Sequence, residues 1–331
     1  MKLNLVVNAL SSSNTWLRPC SVAGASTFLA SSTTAATRRN GFASVNNNLK
    51  SISARRTVST RTRPLLMASS SSSSPGWANG AEIMASLAQP SDSFTGRNVE
   101  LAMESLANAD AVCFDVDSTV IAEEGIDVLA DFLGQGEAVA ALTKQAMEGS
   151  QKFQDALKNR LNLMKPSQQA IEKCLVEKPF KLTPGVADLV DALNTKGVHV
   201  YFVSGGFRIM IEPVAMQVCV AKERIFANTL LFDDDGKYAG FDPNEPTSAD
   251  MGKPKALTKI KSDNKYKTMV MVGDGATDAQ AKPPADAFIG FGGVVVRPAV
   301  QEKADWFVKD FNDMTAIVQK FGTPKLKGGE D

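Results

Sequence analysis

Acidic residues are missing from the first 80 positions of this 331-residue chain, where Glu82 is the first carboxylate. Nine of the 36 lysines and arginines fall in that stretch, so the remaining 27 face all 36 acids and give the body a net charge of −9. An acid-free leader rich in Arg, Ser and Thr is typical of an organelle transit peptide. Its many hydroxyls and weak amphipathicity favour a plastid over a mitochondrion. The acidic body argues against a nucleic-acid partner.

Long hydrophobic runs and clustered cysteines are also missing. No apolar stretch is long enough to span a bilayer, so the sequence predicts no membrane partner. The four cysteines, at positions 20, 113, 174 and 219, form no C-x-x-C pair and predict neither a zinc site nor a disulfide-dense scaffold. Residues 1–80 are interpreted as transit peptide and linker, with the serine run Ser69–Ser74 in the linker.

Three apolar runs in the body have strand character: 111–114, 198–203 and 269–272. Each leads into a polar residue, namely Asp115, Ser204 or Asp274. Helical patterns near 186–197, 206–220 and 276–282 alternate with these runs, which predicts an α/β fold with a Rossmann-like, three-layer parallel-sheet core. Because parallel strands bind ligands at their carboxyl ends, the three polar residues are expected to meet in one crevice.

A helical insertion interrupts this alternation. About 60 residues after the first strand carry no strand signal and predict helices near 124–133, 136–148, 151–164 and 167–177. Such a length exceeds a simple crossover, so residues 123–182 are interpreted as a small helical cap. The core then comprises 81–122 and 183–331, and an Asp-Gly turn predicts a hairpin within 229–241.

Two segments carry most of the chemistry. FDVDSTV (114–120) places Asp115 and Asp117 one residue apart after a buried strand, which suits a carboxylate nucleophile beside an acid/base carboxylate on a divalent metal. VGDGATDAQA (272–281) adds Asp274 and Asp278. Mg²⁺ prefers a few carboxylates completed by water and phosphate oxygens. Taken alone, the Gly-Asp-Gly of the second segment is also compatible with an ordinary turn.

Two further residues are of types that can bind an anion such as phosphate. Ser204, in VSGGF (203–207), lies where a strand gives way to a helix, and a hydroxyl with free N–H groups there can cradle phosphate or simply cap the helix. Lys253, in MGKPKAL (251–257), lies near a predicted helix start. A lone lysine is ordinarily solvated, so the local pattern alone assigns it no role.

In this order, Asp115, Ser204, Lys253 and Asp274 resemble the motif set of the haloacid-dehalogenase-like hydrolases, and the body from 109 to 321 resembles the phosphoserine phosphatases within them. The matching segments are 109–132, AMEGSQKF (146–153), LTPGV (182–186), FVSGGFR (202–208), FANTL (226–230), GDGATDAQA (273–281) and PPADAFIGFGG (283–293).

The resemblance implies hydrolysis of O-phosphoserine in the last step of L-serine biosynthesis. Asp115 would be the nucleophile and Asp117 the acid/base. One Mg²⁺ would be bound by Asp115, Asp274 and the backbone carbonyl of Asp117. The phosphate would be held by Ser204, Gly205, Gly206 and Lys253. Asp278 would support the metal site or Lys253 from behind.

The cap would select the substrate. By the resemblance, Glu124 would pair with the ammonium group of phosphoserine and Arg160 with its carboxylate, while Met147, Thr277 and Arg297 would lie near the substrate. Arg160 also borders a predicted apolar helical stripe, and a half-buried guanidinium needs an anion. A structural ion pair between Arg160 and Glu124 is the alternative interpretation.

The sequence excludes some other functions and leaves others open. The single histidine, His199, lies inside a predicted strand, and no body cysteine has an arginine six positions later, which excludes phosphatases with histidine or cysteine nucleophiles. A phosphatase for another small phosphorylated metabolite is the main alternative. A phosphomutase and a catalytically silent binding module are the others, and a homodimer is left open.

Overall fold

The computed structural model describes residues 80–86, 95–148 and 152–325. The predicted transit peptide and linker lie outside the described residues, except for Gly80. A six-stranded, wholly parallel sheet forms the centre, in the order β3-β2-β1-β6-β7-β8. Its strands are β1 (Ala111–Phe114), β2 (His199–Phe207), β3 (Ile225–Asn228), β6 (Met269–Gly273), β7 (Ala287–Phe291) and β8 (Trp306–Val308).

The central strand, β1, is apolar because both of its faces are covered. Its four residues AVCF are fully buried, as expected for a strand inside a parallel sheet. Val112 and Phe114 face one hydrophobic cluster, and Ala111 and Cys113 face the other. The alternation of a strand therefore divides the core into two layers, one on each side of the sheet.

Helices cover both faces and complete the predicted three-layer α/β fold, which is confirmed. One face packs against helices α1 (Gly80–Ser86), α2 (Val99–Ala107), α7 (Val186–Thr195), α8 (Arg208–Gln217) and α12 (Phe311–Phe321). The other face packs against α9 (Gly252–Asn264) and α11 (Pro298–Lys303), and the one-turn helix α10 (Ala276–Ala279) lies beside the end of β6.

Four helices lie within residues 123–182, where the sequence predicts the cap. They are α3 (Gly125–Phe132), α4 (Gly136–Glu148), α5 (Phe153–Met164) and α6 (Gln168–Glu177). A bridge between Ile121 and Leu182 joins the two ends of the insertion. This bridge is within two residues of the expected boundaries, although the division into core and cap domains stays a prediction.

The sequence predicts some elements less well. The hairpin is present as β4 (Leu230–Phe232) and β5 (Tyr238–Phe241). Strand β2 runs four residues beyond its predicted end, because an irregularity carries it past Ser204. The sequence pattern predicts no strand at β3, β7 or β8, since β3 and β8 are short and β7 contains a glycine. None of the helices in the described ranges is long and apolar enough to cross a membrane.

One aromatic stack should carry much of the packing between sheet and helix. Phe311, fully buried, stacks on Phe291 with ring centroids 4.1 Å apart and meets Phe114 edge-on at 6.3 Å. We expect Phe311→Ala to lower the free energy of unfolding by about 3–5 kcal/mol, because it leaves a cavity beneath β1. Urea unfolding measures this. Val176→Ala, at a side chain 49% exposed, should change it by less than about 0.5 kcal/mol.

Candidate active site

The candidate nucleophile lies directly after β1. The register aligns Phe114 with Phe202 of β2 and Val272 of β6, so all three strands end at one edge of the sheet. Asp115 is only 8% exposed, and its Oδ1 accepts a hydrogen bond from the Val116 amide at 2.8 Å. Burial raises the pKa of Asp115, and the nearby Asp274 carboxylate adds to the rise against the opposing charge of Lys253.

The second carboxylate is held from two sides. Asp117 Oδ1 accepts the Gly125 amide at 2.7 Å, and Oδ2 accepts the Ser204 hydroxyl at 3.2 Å. Burial, followed by the negative charges of Glu124 and Asp115, raises the pKa of Asp117 to about 7. A carboxyl group with this pKa exchanges protons near neutral pH, which is what a general acid/base requires.

A tight turn joins these two aspartates to the insertion. Residues Val116–Val120 form the turn, and Ser118 within it has a φ of 54°. The Ser118 hydroxyl donates to Glu124 Oε1 at 2.7 Å. This turn brings Glu124 back beside the strand end, so the first residue before α3 faces the two aspartates.

The segment from Ser204 to Gly206 forms the adjoining wall. Ser204 is fully buried, and its Oγ accepts the Gly206 amide at 2.9 Å while donating to Asp117. A Cβ at Gly206 would come within 2.8 Å of Asp117 Oδ2, and one at Gly205 within 3.1 Å of the Phe153 ring. Glycine at both positions therefore lets backbone N–H groups approach the site closely.

Lys253 lies on the opposite side of Asp115. Its Nζ is 2.8 Å from Asp115 Oδ1 and 2.5 Å from Asp278 Oδ1, and the residue is 8% exposed. Burial works against the charged amine, but the carboxylates of Asp115 and Asp278 outweigh it and raise the pKa of Lys253 above its ordinary value. The lysine therefore keeps its positive charge at the nucleophile. The structure thus brings a residue without local sequence signal into the site.

A cluster of carboxylates suits a divalent cation. Asp115, Asp274 and Asp278 are all buried and offer oxygens within 4.8 Å of one another. Lys253 and Arg297 balance only two of these three charges. Hard oxygen donors with excess negative charge match the preference of Mg²⁺. Both oxygens of Asp278 are already engaged, by Lys253 and the Gly275 amide, which fits the supporting role expected for it.

One neighbour of this cluster, Thr119, has no role assigned to it from the sequence. The fully buried Thr119 hydroxyl donates to Asp274 Oδ1 at 3.2 Å, across 155 residues of sequence. The signal was available, because Thr119 is the threonine of the Asp-x-Asp-x-Thr pattern. It orients Asp274, whose Oδ2 accepts Arg297 Nε at 3.0 Å.

The expected substrate residues are distributed unevenly. Arg297 joins the site through Asp274 and lies 3.7 Å from Glu124 Oε1. Thr277 is exposed at the start of α10. Met147 lies in α4, but its side chain is outside the described residues.

Arg160 does not form the alternative ion pair. Within the described part of the chain no contact of 4.0 Å or less joins Arg160 to Glu124. The half-buried Arg160 donates from Nε to the Ala156 carbonyl at 3.2 Å. Burial lowers the pKa of Arg160, while the acidic charges of Asp127 and Glu124 partly restore it. The guanidinium of Arg160 therefore interacts electrostatically with both acids but forms no ion pair with Glu124.

Comparison with known proteins decides the family. A model described as haloacid dehalogenase-like hydrolase matches residues 109–283. The chain belongs to the haloacid dehalogenase-like hydrolases. The phosphoserine phosphatase of Bos taurus is 48% identical over 213 residues, covering 64% of this chain and 95% of that one. The chloroplastic phosphoserine phosphatase of Arabidopsis thaliana is 50% identical over 209 residues, covering 62% and 71%.

Solved structures agree with this membership. A phospho-aspartyl intermediate analogue of phosphoserine phosphatase superposes with a TM-score of 0.54 at 30% identity, covering 63% of this chain and 98% of that one. The structure of DsGPDH of Dunaliella salina superposes with a TM-score of 0.60 at 35% identity, over 67% of this chain but only 38% of that one. The family match and these relatives together place the chain among the phosphatases.

The raised pKa of Asp117 predicts a pH-dependent stability. Its folded pKa of about 7 exceeds the ordinary value of 3.8, so the folded protein binds the proton more tightly and loses stability as the pH rises from 4 through 7. In EDTA, Asp117→Asn should therefore raise the melting temperature at pH 8 by at least about 2 °C, and by less at pH 5.

The control for this measurement is Asp234→Asn, at an exposed turn residue, which should not change the melting temperature at either pH. A rise in melting temperature for Asp117→Asn that is equal at pH 5 and pH 8, or a fall at pH 8, would contradict a raised pKa for Asp117.

Proposed function

We propose that this phosphatase hydrolyses O-phosphoserine to serine and inorganic phosphate through an aspartyl-phosphate on Asp115. The observation that carries the proposal is the contact of Asp115 with Lys253 in a buried carboxylate cluster, with Asp117 at the same strand end. Relatives named phosphoserine phosphatase, at 48% and 50% identity, support the choice of substrate.

In the first step Asp115 attacks the phosphorus. The Val116 amide and Lys253 both bind Oδ1, so Oδ2 is the oxygen we assign as nucleophile. The bond from Oδ2 to phosphorus forms as the bond from phosphorus to the serine oxygen breaks. Protonated Asp117 gives its proton to the departing serine oxygen.

In the second step water hydrolyses the intermediate. Asp117, now ionised, takes a proton from the water that attacks phosphorus. The bond between phosphorus and Asp115 breaks, which restores the carboxylate and releases phosphate. A pKa of about 7 allows Asp117 to act as acid in one step and base in the next.

The remaining residues stabilise charge. We assign Ser204, the amides of Gly205 and Gly206, and the Lys253 ammonium to the phosphoryl oxygens. Asp115, Asp274 and the Asp117 carbonyl would hold one Mg²⁺, with Asp278 supporting Lys253. When bound, Mg²⁺ supplies positive charge that lowers the repulsion between a carboxylate and a phosphate dianion.

The serine part of the substrate would lie beneath the insertion. Glu124 is oriented by Ser118 and suits the ammonium group, and Arg160 suits the carboxylate. Met147, Thr277 and Arg297 are proposed to line the same space. Since phosphoserine carries both charges on one carbon, a site with one acid and one guanidinium distinguishes it from simpler phosphate esters.

Two observations support a location for the enzyme. The leader is basic and acid-free, and the relative from Arabidopsis thaliana is described as chloroplastic. We propose that the enzyme acts in the plastid stroma, in the last step of L-serine formation. The relative from Bos taurus bears no such description, so this proposal rests on the leader and the plant relative alone.

Replacement of the nucleophile should stop turnover. We expect Asp115→Asn to lower kcat for phosphoserine by about 1,000-fold or more, because no aspartyl-phosphate can form. Phosphate release with Mg²⁺ present measures this, and circular dichroism checks the fold. Asp263→Asn, at an exposed acid of α9, is the control and should retain wild-type activity. Substantial activity in Asp115→Asn would refute the nucleophile.

Loss of the guanidinium should affect one substrate selectively. Arg160→Ala should raise KM for phosphoserine at least about tenfold, because an interaction with the substrate carboxylate is removed. The KM for p-nitrophenyl phosphate, which has no carboxylate, should stay within about twofold. Lys158→Ala, at an exposed residue of the same helix, is the matched control.

Equal changes in KM for both compounds would mean that Arg160 does not bind the carboxylate of phosphoserine. A wild-type enzyme that releases phosphate faster from another phosphorylated amino acid, or from a sugar phosphate, would favour the alternative of a different small metabolite.

A further inference from the structure

The segment that carries Ser204 interrupts the regular pairing of β2 with β3. Strands β2 and β3 pair at Val203 with Phe226 and again at Phe207 with Asn228. Three residues of β2, 204–206, therefore face the single residue Ala227 of β3. Such an irregularity lifts the backbone out of the ladder and removes its regular hydrogen-bond partners.

One buried side chain replaces the lost partner. Asn228 is fully buried, and its Nδ2 donates to the Gly205 carbonyl oxygen at 2.7 Å. This bond satisfies the carbonyl of the partly buried Gly205 and fixes the plane of the Gly205–Gly206 peptide. The amide N–H of that peptide belongs to Gly206, in the wall beside Asp117.

The carboxamide oxygen of Asn228 contacts the turn that precedes α9, the helix that carries Lys253. The Thr247 hydroxyl, 3% exposed, donates to Asn228 Oδ1 at 3.1 Å. Thr247 belongs to the 3₁₀ turn Pro246–Ser248, which packs on the first residue of α9. A Cβ at Gly252 would come within 2.6 Å of the Pro246 carbonyl oxygen and 2.8 Å of Thr247 Cα. Lys253 is the next residue.

We propose that Asn228 is a positioning residue for phosphate binding. Its carboxamide holds the Ser204–Gly206 segment at one end and, through Thr247, the start of the Lys253 helix at the other. The two groups assigned to the phosphoryl oxygens are thereby kept at a fixed separation, and preorganisation of this kind governs how tightly phosphate is bound. This inference rests on the phosphate site proposed above, and Asn228 itself touches no substrate.

The test measures inorganic phosphate as a competitive inhibitor of p-nitrophenyl phosphate hydrolysis, with Mg²⁺ present. Asn228→Leu keeps the volume but removes both hydrogen bonds, and we expect it to raise Ki for phosphate about tenfold and to lower kcat. Thr247→Val keeps the shape and removes only the hydroxyl donor. We expect it to raise Ki about threefold.

Two controls separate positioning from stability. Thr247→Ser keeps the hydroxyl and should restore the wild-type Ki. Thr315→Val removes another buried hydroxyl, which bonds to the Phe311 carbonyl at 3.0 Å in α12. It should lower the melting temperature while leaving Ki unchanged, because it lies outside the site.

An unchanged Ki in folded Asn228→Leu and Thr247→Val would overturn the proposal, and so would an equal rise in Thr315→Val. If Asn228→Leu does not fold, Thr247→Val decides between a threefold rise and none. Since p-nitrophenyl phosphate reports on the phosphate site alone, a wild-type enzyme that hydrolyses it but not phosphoserine contradicts the proposed substrate and still allows this test.

Discussion

The site depends on holding several carboxylates together in a buried place. Removing an ionised carboxylate from water is costly unless an opposite charge or a hydrogen bond compensates it. Lys253 lies between Asp115 and Asp278 and provides that compensation, while burial still raises the pKa of Asp115, Asp117 and Asp278. The remaining negative charge makes the site suitable for a divalent cation, and Lys253 keeps a positive charge for the phosphoryl group.

The fold supplies these groups from distant parts of the sequence. Asp115 and Asp274 follow neighbouring parallel strands whose ends are level, so the sheet itself brings them together. Ser204 lies within a third strand, β2, at the irregularity that brings it to Asp117. Lys253 comes from a helix whose start is fixed by a preceding turn. Regular strands thus place Asp115 and Asp274. Irregular segments place Asp117, Ser204 and Lys253 around them.

Much of this arrangement could be predicted from the sequence, since buried strands have a strong apolar pattern and polar residues at their ends are easily recognised. Strands β1 and β6 and the residues after them are examples. Lys253 and Asn228 could not be assigned from local pattern, because each acts through a contact with a residue far away in sequence. The irregularity in β2 was missed for a similar reason, as VSGGF equally describes a strand end followed by a helix.

In the proposed reaction the Asp115 carboxylate itself bonds to phosphorus during turnover. Borohydride quenching of the enzyme during hydrolysis, followed by peptide mass spectrometry, tests it most directly, because reduction converts an aspartyl-phosphate to homoserine. We expect homoserine at position 115 only when substrate and Mg²⁺ are present. Homoserine at position 117 instead, or unmodified aspartate at 115 in an enzyme that shows a burst of product, would contradict it.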